Sequence, residues 1–212
     1  MRLRKKPWIE KAMDAVRGKT LLDQDLDKMQ GHWQELFPGK RLCLEIGCGK
    51  GKFVIGMAKL HPECAFVAVE SQHDIAFYPA RAALEDELNN VRVIHADAAR
   101  LLEWFAPGEI KEIYLNFSDP WPKARHAKRR LTYRKFLEIY RRLLGKGGRL
   151  RFKTDNKDLF EFSMEEFEAV GVHILQVSRD LHHSTIVNEV QTEYEEKFNA
   201  RGNKIYFAEI EF

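Results

Sequence analysis

The chain has 212 residues, 44% of them apolar and 32% charged, and a formal net charge of +3. That is enough for a real core in a single domain, and no composition break marks a second. No apolar run reaches membrane-spanning length, the start Met-Arg-Leu-Arg-Lys-Lys-Pro-Trp lacks a secretory apolar stretch, and three scattered cysteines (Cys43, Cys48, Cys64) suit neither a disulfide framework nor a zinc site, so a cytoplasmic protein without a metal is expected.

Residues 1–39 read as a helical, irregular and basic lead-in, with Arg2, Arg4, Lys5 and Lys6 as a flexible basic arm; residues 40–212 read as the rest of one domain. From there strands and helices alternate. Strands are predicted at Arg41–Ile46, Ala65–Glu70, Val91–His95, Glu112–Phe117 and Arg149–Thr154, and helices at Lys52–Lys59, His73–Leu88, Leu131–Leu144 and Asn156–Ala169. In the Leu131 helix, Phe136, Leu137, Tyr140, Leu143 and Leu144 share one face, and Gly145, Gly147 and Gly148 end it. Two late strands, Val172–Val177 and Ile205–Phe212, look like a closing antiparallel pair with little helix at the very end. The pattern predicts an α/β fold: a mostly parallel seven-stranded sheet with helices on both faces and an antiparallel strand near the C-terminus.

Charge is unevenly spread. Residues 123–153 hold 13 Lys or Arg and one acid, Glu138, in a chain whose whole net charge is +3, so the rest is net acidic. Such a run is either a solvated helix face or a surface for a polyanion. It begins as the run Tyr-Leu-Asn-Phe-Ser-Asp-Pro-Trp-Pro-Lys (114–123) ends. That run places a carboxylate, Asp119, and a flat aromatic, Trp121, at a strand end beside the basic charge. Strand ends are where open α/β sheets carry their chemistry. The plainer reading is a strand followed by a stiff proline-rich turn.

After the first predicted strand comes Glu-Ile-Gly-Cys-Gly-Lys-Gly-Lys-Phe (45–53), a turn that opens a helix and lets a ligand approach the backbone. A nicotinamide dinucleotide is disfavoured, because Lys52 stands where its third glycine belongs. Four acids, Glu45, Glu70, Asp97 and Asp119, fall at or just past predicted strand ends. Each could be a cap or a turn residue, Asp97 above all. Together they suit a cationic ligand rich in hydroxyls: a sulfonium, an amine, two ribose hydroxyls and an adenine amine.

The G-x-G-x-G form with Glu45 ahead of it resembles the first motif of class I S-adenosylmethionine-dependent methyltransferases, a Rossmann-like fold. Asn-Phe-Ser-Asp-Pro-Trp-Pro-Lys-Ala-Arg-His-Ala-Lys-Arg-Arg, Phe-Lys-Thr-Asp-Asn and Thr-Glu-Tyr-Glu-Glu-Lys-Phe resemble, more narrowly, the bacterial tRNA (guanine-N7)-methyltransferases. The resemblance implies that Glu45, Gly47, Gly49, Gly51, Glu70, Asp97, Ala98 and Asp119 hold S-adenosylmethionine, with Asp119 also the catalytic position. It implies that Lys123, Asp155, Thr192, Glu193, Tyr194 and Glu195 hold the guanosine, that Arg125, His126, Ala127, Lys128, Arg129 and Arg130 contact tRNA, and that the target is the variable-loop guanine. It leaves a monomer or a homodimer open.

The chemistry asks little of a base. Guanine N7 carries a free in-plane lone pair, so attack on a sulfonium methyl removes no proton first, and positioning should supply much of the rate. Asp119 or Asp155 could stabilise the cation that develops and accept hydrogen bonds from the guanine edge. The guanine must leave its stack, while Arg125, Lys128, Arg129 and Arg130 would hold phosphates. Trp121 could stack on the base or simply pack the turn, and His126 reads as a bystander. Two other classes fit the same composition: a methyltransferase acting on a small molecule or protein, and an RNA-binding protein without catalysis.

Overall fold

The computed structural model describes residues 7–212, so the basic arm of Arg2, Arg4, Lys5 and Lys6 lies outside the described residues. Its centre is one sheet. The strands are β1 (Leu21–Leu22), β2 (Arg41–Ile46), β3 (Cys64–Glu70), β4 (Val91–His95), β5 (Glu112–Asn116), β6 (Arg149–Thr154), β7 (His173–Ser178) and β8 (Tyr206–Glu211), in spatial order β1-β4-β3-β2-β5-β6-β8-β7. All neighbouring pairs from β1 to β6 are parallel; β8 lies antiparallel between β6 and β7. The central strands are covered on both faces, which is why β3 reads as an unbroken apolar run and is buried along its whole length.

One face packs against α1 (Pro7–Met13), α3 (Lys52–Leu60) and α4 (His73–Glu85), through side chains such as Met13, Phe53, Val54, Phe77 and Ala80. The other packs against α2 (Trp33–Leu36), the 3-10 segment Ala98–Glu103, α5 (Arg134–Leu144) and α6 (Lys157–Val170), through Trp33, Leu101, Leu137, Tyr140 and Phe160. In α5 the expected apolar face is buried at Leu137, Tyr140, Leu143 and Leu144, while Phe136 stays half-buried.

The sheet has eight strands where seven were expected. The extra one, β1, comes from the lead-in and pairs Leu21 and Leu22 with Val93 and Ile94. A two-residue strand leaves no periodicity to read. The Leu131 helix starts later, at Arg134, after the extended cap Tyr133; Thr132 before it is buried and accepts from the Ser163 hydroxyl at 2.7 Å. An unexpected helix, α7 (Glu193–Asn199), follows the cap Thr192, whose Oγ1 accepts from the Glu195 amide at 2.9 Å. Its signal was present as Thr-x-x-Glu, a capping pattern.

Strand order reverses between β2 and β5. In open α/β sheets that switch point, at the carboxyl ends of the strands, is where ligands bind.

Candidate active site

A cavity of about 570 Å³ opens at the switch point, lined among others by Gly47, Glu70, Gln72, Asp97, Ala98, Phe117, Asp119, Trp121, Lys128, Arg129 and Phe136. The loop after β2 forms its floor. Gly47, Gly49 and Gly51 all take positive φ, and a Cβ built on Gly51 would run into Pro79 of α4, so the turn and its packing demand glycine there. Of the three, Gly47 reaches the cavity; Gly49 and Gly51 shape the loop behind it.

Glu70 ends β3 with its carboxylate already organised. Oε2 accepts from the Gly49 amide at 3.1 Å and Oε1 from the Gln72 amide at 2.9 Å, which locks the loops after β2 and β3 together. Asp97 caps the 3-10 segment Ala98–Glu103 by accepting from the Ala99 amide at 2.9 Å, so it is a cap and a cavity residue at once.

Glu45 leaves the row. Alternation along β2 turns its side chain to the α3 face, where it is 1% exposed and does not line the cavity. Asn116 of β5 donates to its Oε1 at 2.9 Å, and Oε2 is buried with no hydrogen-bond partner among the described residues. Burial pushes the Glu45 carboxyl up to about 8, against the Asn116 hydrogen bond and the nearby Lys153 ammonium.

Asp119 is exposed in the turn after β5. That turn carries two left-handed non-glycine residues, Phe117 (φ 54°) and Trp121 (φ 41°). Such backbone persists where surroundings over-determine it, and it gathers at functional sites. The determinant here is Arg130. Its Nε donates to the Pro120 carbonyl at 3.0 Å and its Nη2 to the Trp121 carbonyl at 3.1 Å, while the guanidinium lies 4.2 Å from the Phe162 ring centroid. Arg130 therefore holds the turn with the groups it would offer a phosphate. Lys123, Arg125, Lys128 and Arg129 are exposed, on or beside the 3-10 segment Ala124–Arg129, with His126 and Ala127 half-buried within it. Trp121 lines the cavity between the Arg129 guanidinium, 4.8 Å from its ring centroid, and the edge of His126.

The expected guanosine residues gather next to this cavity rather than in its wall. Tyr194 donates to Asp155 Oδ2 at 3.2 Å and stacks on Phe198, and its ring centroid lies 5.1 Å from that of Phe117, so the two halves of the site meet at Phe117. Thr192 caps α7, and Glu193 is exposed and close enough to Glu45 to raise its pKa further. Glu195 is wholly buried, with Oε2 on Lys153 at 2.7 Å and Oε1 on Asn188 at 2.6 Å. Desolvation lowers the Lys153 ammonium below its ordinary value, and Glu195 opposes that shift. Asn116, Phe117, Arg130 as a clamp and Lys153 were not singled out from the sequence; only the buried face of a strand or turn reveals them.

Known proteins carry the same pattern. The family described as "Putative methyltransferase" matches residues 39–208. A tRNA (guanine-N(7)-)-methyltransferase of Geobacillus thermodenitrificans (strain NG80-2) is 48% identical over 99% of this chain and 96% of its own, and one of Bacillus subtilis (strain 168) is 42% identical over 100% and 99%. Among solved structures, the 16S rRNA methyltransferase KamB superposes with a TM-score of 0.66 at 13% identity, covering 90% of this chain and 94% of that one, a likeness of fold. With relatives of that identity along its entire length, the chain belongs to the tRNA (guanine-N(7)-)-methyltransferase family.

Proposed function

We infer that this protein methylates N7 of a guanine in tRNA, in the variable loop, using S-adenosylmethionine. One observation carries the reading: a single cavity is lined both by Glu70, Asp97 and Asp119 and by Lys128 and Arg129 of the basic run. A cationic small ligand and a polyanion would therefore meet at the same opening.

The residues fit the cofactor. Glu70 at a β3 end suits ribose hydroxyls, Asp97 and Asp119 are carboxylates that suit a cationic ligand, and Ala98 and Phe136 give apolar walls for a purine. When bound, the cofactor supplies an electrophilic methyl on a sulfonium. Asp119, exposed at the cavity, faces the charge that appears on the guanine ring as N7 is alkylated, and a carboxylate there lowers the barrier by electrostatics alone. Asp155 and Tyr194 already share a hydrogen bond beside that opening and would orient the guanine edge. Lys123, Arg125, Lys128 and Arg129 supply sequence-independent hold on phosphates.

The deciding experiment maps N7-methylguanine in tRNA incubated with the purified protein and methyl-labelled cofactor. Label at the variable-loop guanine is the expected result. Label in a small molecule or a protein with tRNA untouched would overturn the assignment.

A further inference from the structure

Lys153 and Glu195 form a pair that neither the cavity nor the basic run accounts for. Lys153 sits near the end of β6, 4% exposed, in cross-strand register with Asn116, which in turn donates to Glu45. An ammonium has three protons to donate. Lys153 directs Nζ to Glu195 Oε2 at 2.7 Å, Asn188 Oδ1 at 3.2 Å and the Val190 carbonyl at 3.3 Å. All three acceptors belong to the strap that runs from the 3-10 turn Leu181–His183 into α7. Glu195 is 0% exposed, and its second oxygen accepts from Asn188.

The strap is seated closely as well as bonded. A Cβ on Gly56 of α3 would meet Val190 Cγ1 at 2.7 Å, so the strap lies where only glycine leaves room. Its other fastenings, Lys52 with Glu196 and His61 with Glu189, are surface pairs, and such pairs hold little. Leu181 and Ile186 add apolar packing against Ile205 and Phe207, and of the ion pairs that tie the strap to the sheet and its helices, Lys153–Glu195 is the buried one. Beyond it, one residue before Glu195, Tyr194 reaches Asp155 and Phe117.

A buried ion pair is seldom a net gain in stability over apolar side chains of the same volume; fixing register is its best-attested use. We propose that Lys153 is a positioning residue for methyl transfer: its ammonium pins the Thr192–Glu195 segment to the end of β6, and Glu195 acts through Lys153 inside the protein, without touching the guanine. The proposal rests on the reading that Asp155 and the Thr192–Glu195 segment face the substrate.

The test uses the full chain and compares steady-state kinetics on tRNA, cofactor affinity and thermal melting for Lys153→Met, Glu195→Leu, the double variant Lys153→Met/Glu195→Leu, and Asp155→Asn. Each single variant breaks the pair and leaves one buried charge behind, Glu195 beside His182 at 3.4 Å or Lys153 near Glu45, whereas the double variant removes both members of the pair. The double variant should recover roughly tenfold or more of the kcat/KM lost by either single one, because residues acting as one unit are strongly non-additive. The defect in the single variants should fall on KM for tRNA, with the cofactor Kd unchanged. If the singles do not fold, the double variant alone decides: retention of kcat/KM within about tenfold of wild type supports the clamp. A double variant as inactive as Asp155→Asn would show that Glu195 itself contacts the substrate, and the proposal falls while the reading of the site stands. Wild-type turnover by Asp155→Asn would remove that reading, and the proposal with it.

Discussion

The two rims of the site, the acid-lined edge of the cavity and the cluster of expected guanosine residues beside it, are built differently. On the cofactor rim, carboxylates are fixed by neighbouring backbone: Asp97 by an amide two residues on, Glu70 by amides of its own turn and of the glycine loop. On the substrate rim, the contacts join residues far apart in the chain: Tyr194 with Asp155 across 39 positions, Lys153 with Glu195 across 42. A rim made of turns at adjacent strand ends, even where Glu70 reaches Gly49 across 21 positions, is preorganised once the sheet forms. A rim made of long-range pairs exists only while the strap stays seated, so each rim should fail in its own way.

The largest effect should come where the rims meet. Asp119→Ala is expected to lower turnover by about 10²–10³-fold, the range for losing one preorganised electrostatic group. Asp119 is exposed, so the melting temperature should hardly move. Label transfer from methyl-labelled cofactor to tRNA measures the first and calorimetric melting the second; wild-type turnover by the folded variant would remove Asp119 from the chemistry. Next in size, Glu70→Ala should weaken cofactor binding by about 1.5–3 kcal/mol, the range for hydrogen bonds to a charged group. Because it belongs to the preorganised rim, tRNA affinity should not follow. Titration calorimetry giving an unchanged cofactor Kd would break the division between the rims.

The same division explains what the sequence disclosed. The five parallel strands and their alternating helices were legible because each is a local pattern: β2, β4 and β6 have the expected bounds, and β5 stops one residue early, at the left-handed Phe117. Glu70, Asp97 and Asp119 were legible as acids at strand ends. Glu45 looked the same, but β2 is buried on both faces, so nothing in its run of apolar residues told which face Glu45 takes. Arg130 was one cation among many, and only the positions of the Pro120 and Trp121 carbonyls separate it from its neighbours. Lys153 was counted as part of a basic run; it shares a face of β6 with Arg149 and Arg151 and is the most deeply buried of the three. Long-range pairs carry no local signature, so the substrate rim came from family resemblance alone.

Glu45, buried behind the cavity, offers a separate, pH-dependent test. Its folded pKa of about 8 exceeds the ordinary carboxylate value of 4.5, so the cofactor-free fold binds a proton that the unfolded chain has released. Stability contributed by that proton is full below about pH 4.5 and is lost as pH rises towards 8, at up to about 1.4 kcal/mol per pH unit. Glu45→Gln should flatten this part of the profile and melt higher than wild type at pH 8. Parallel stability curves for the two proteins between pH 5 and 8 would mean that Glu45 is ionised in the fold and already has a partner.

The smallest expected effect separates two neighbours in the basic run. Arg125 is exposed, whereas Arg130 is committed to the turn that carries Asp119. If Arg125 touches one phosphate, Arg125→Ala should reduce the slope of log affinity for tRNA against log salt by about 0.7–0.9 and leave turnover at saturating tRNA alone. Arg130→Ala should do the reverse. The left-handed backbone at Trp121 would lose its clamp, Asp119 would wander, and turnover would drop with little change in slope. Filter binding across a salt series, run beside single-turnover kinetics, reads both. A slope loss of the same size for the two variants, with turnover intact in each, would make Arg130 a phosphate contact and leave the strained turn to be held by something else.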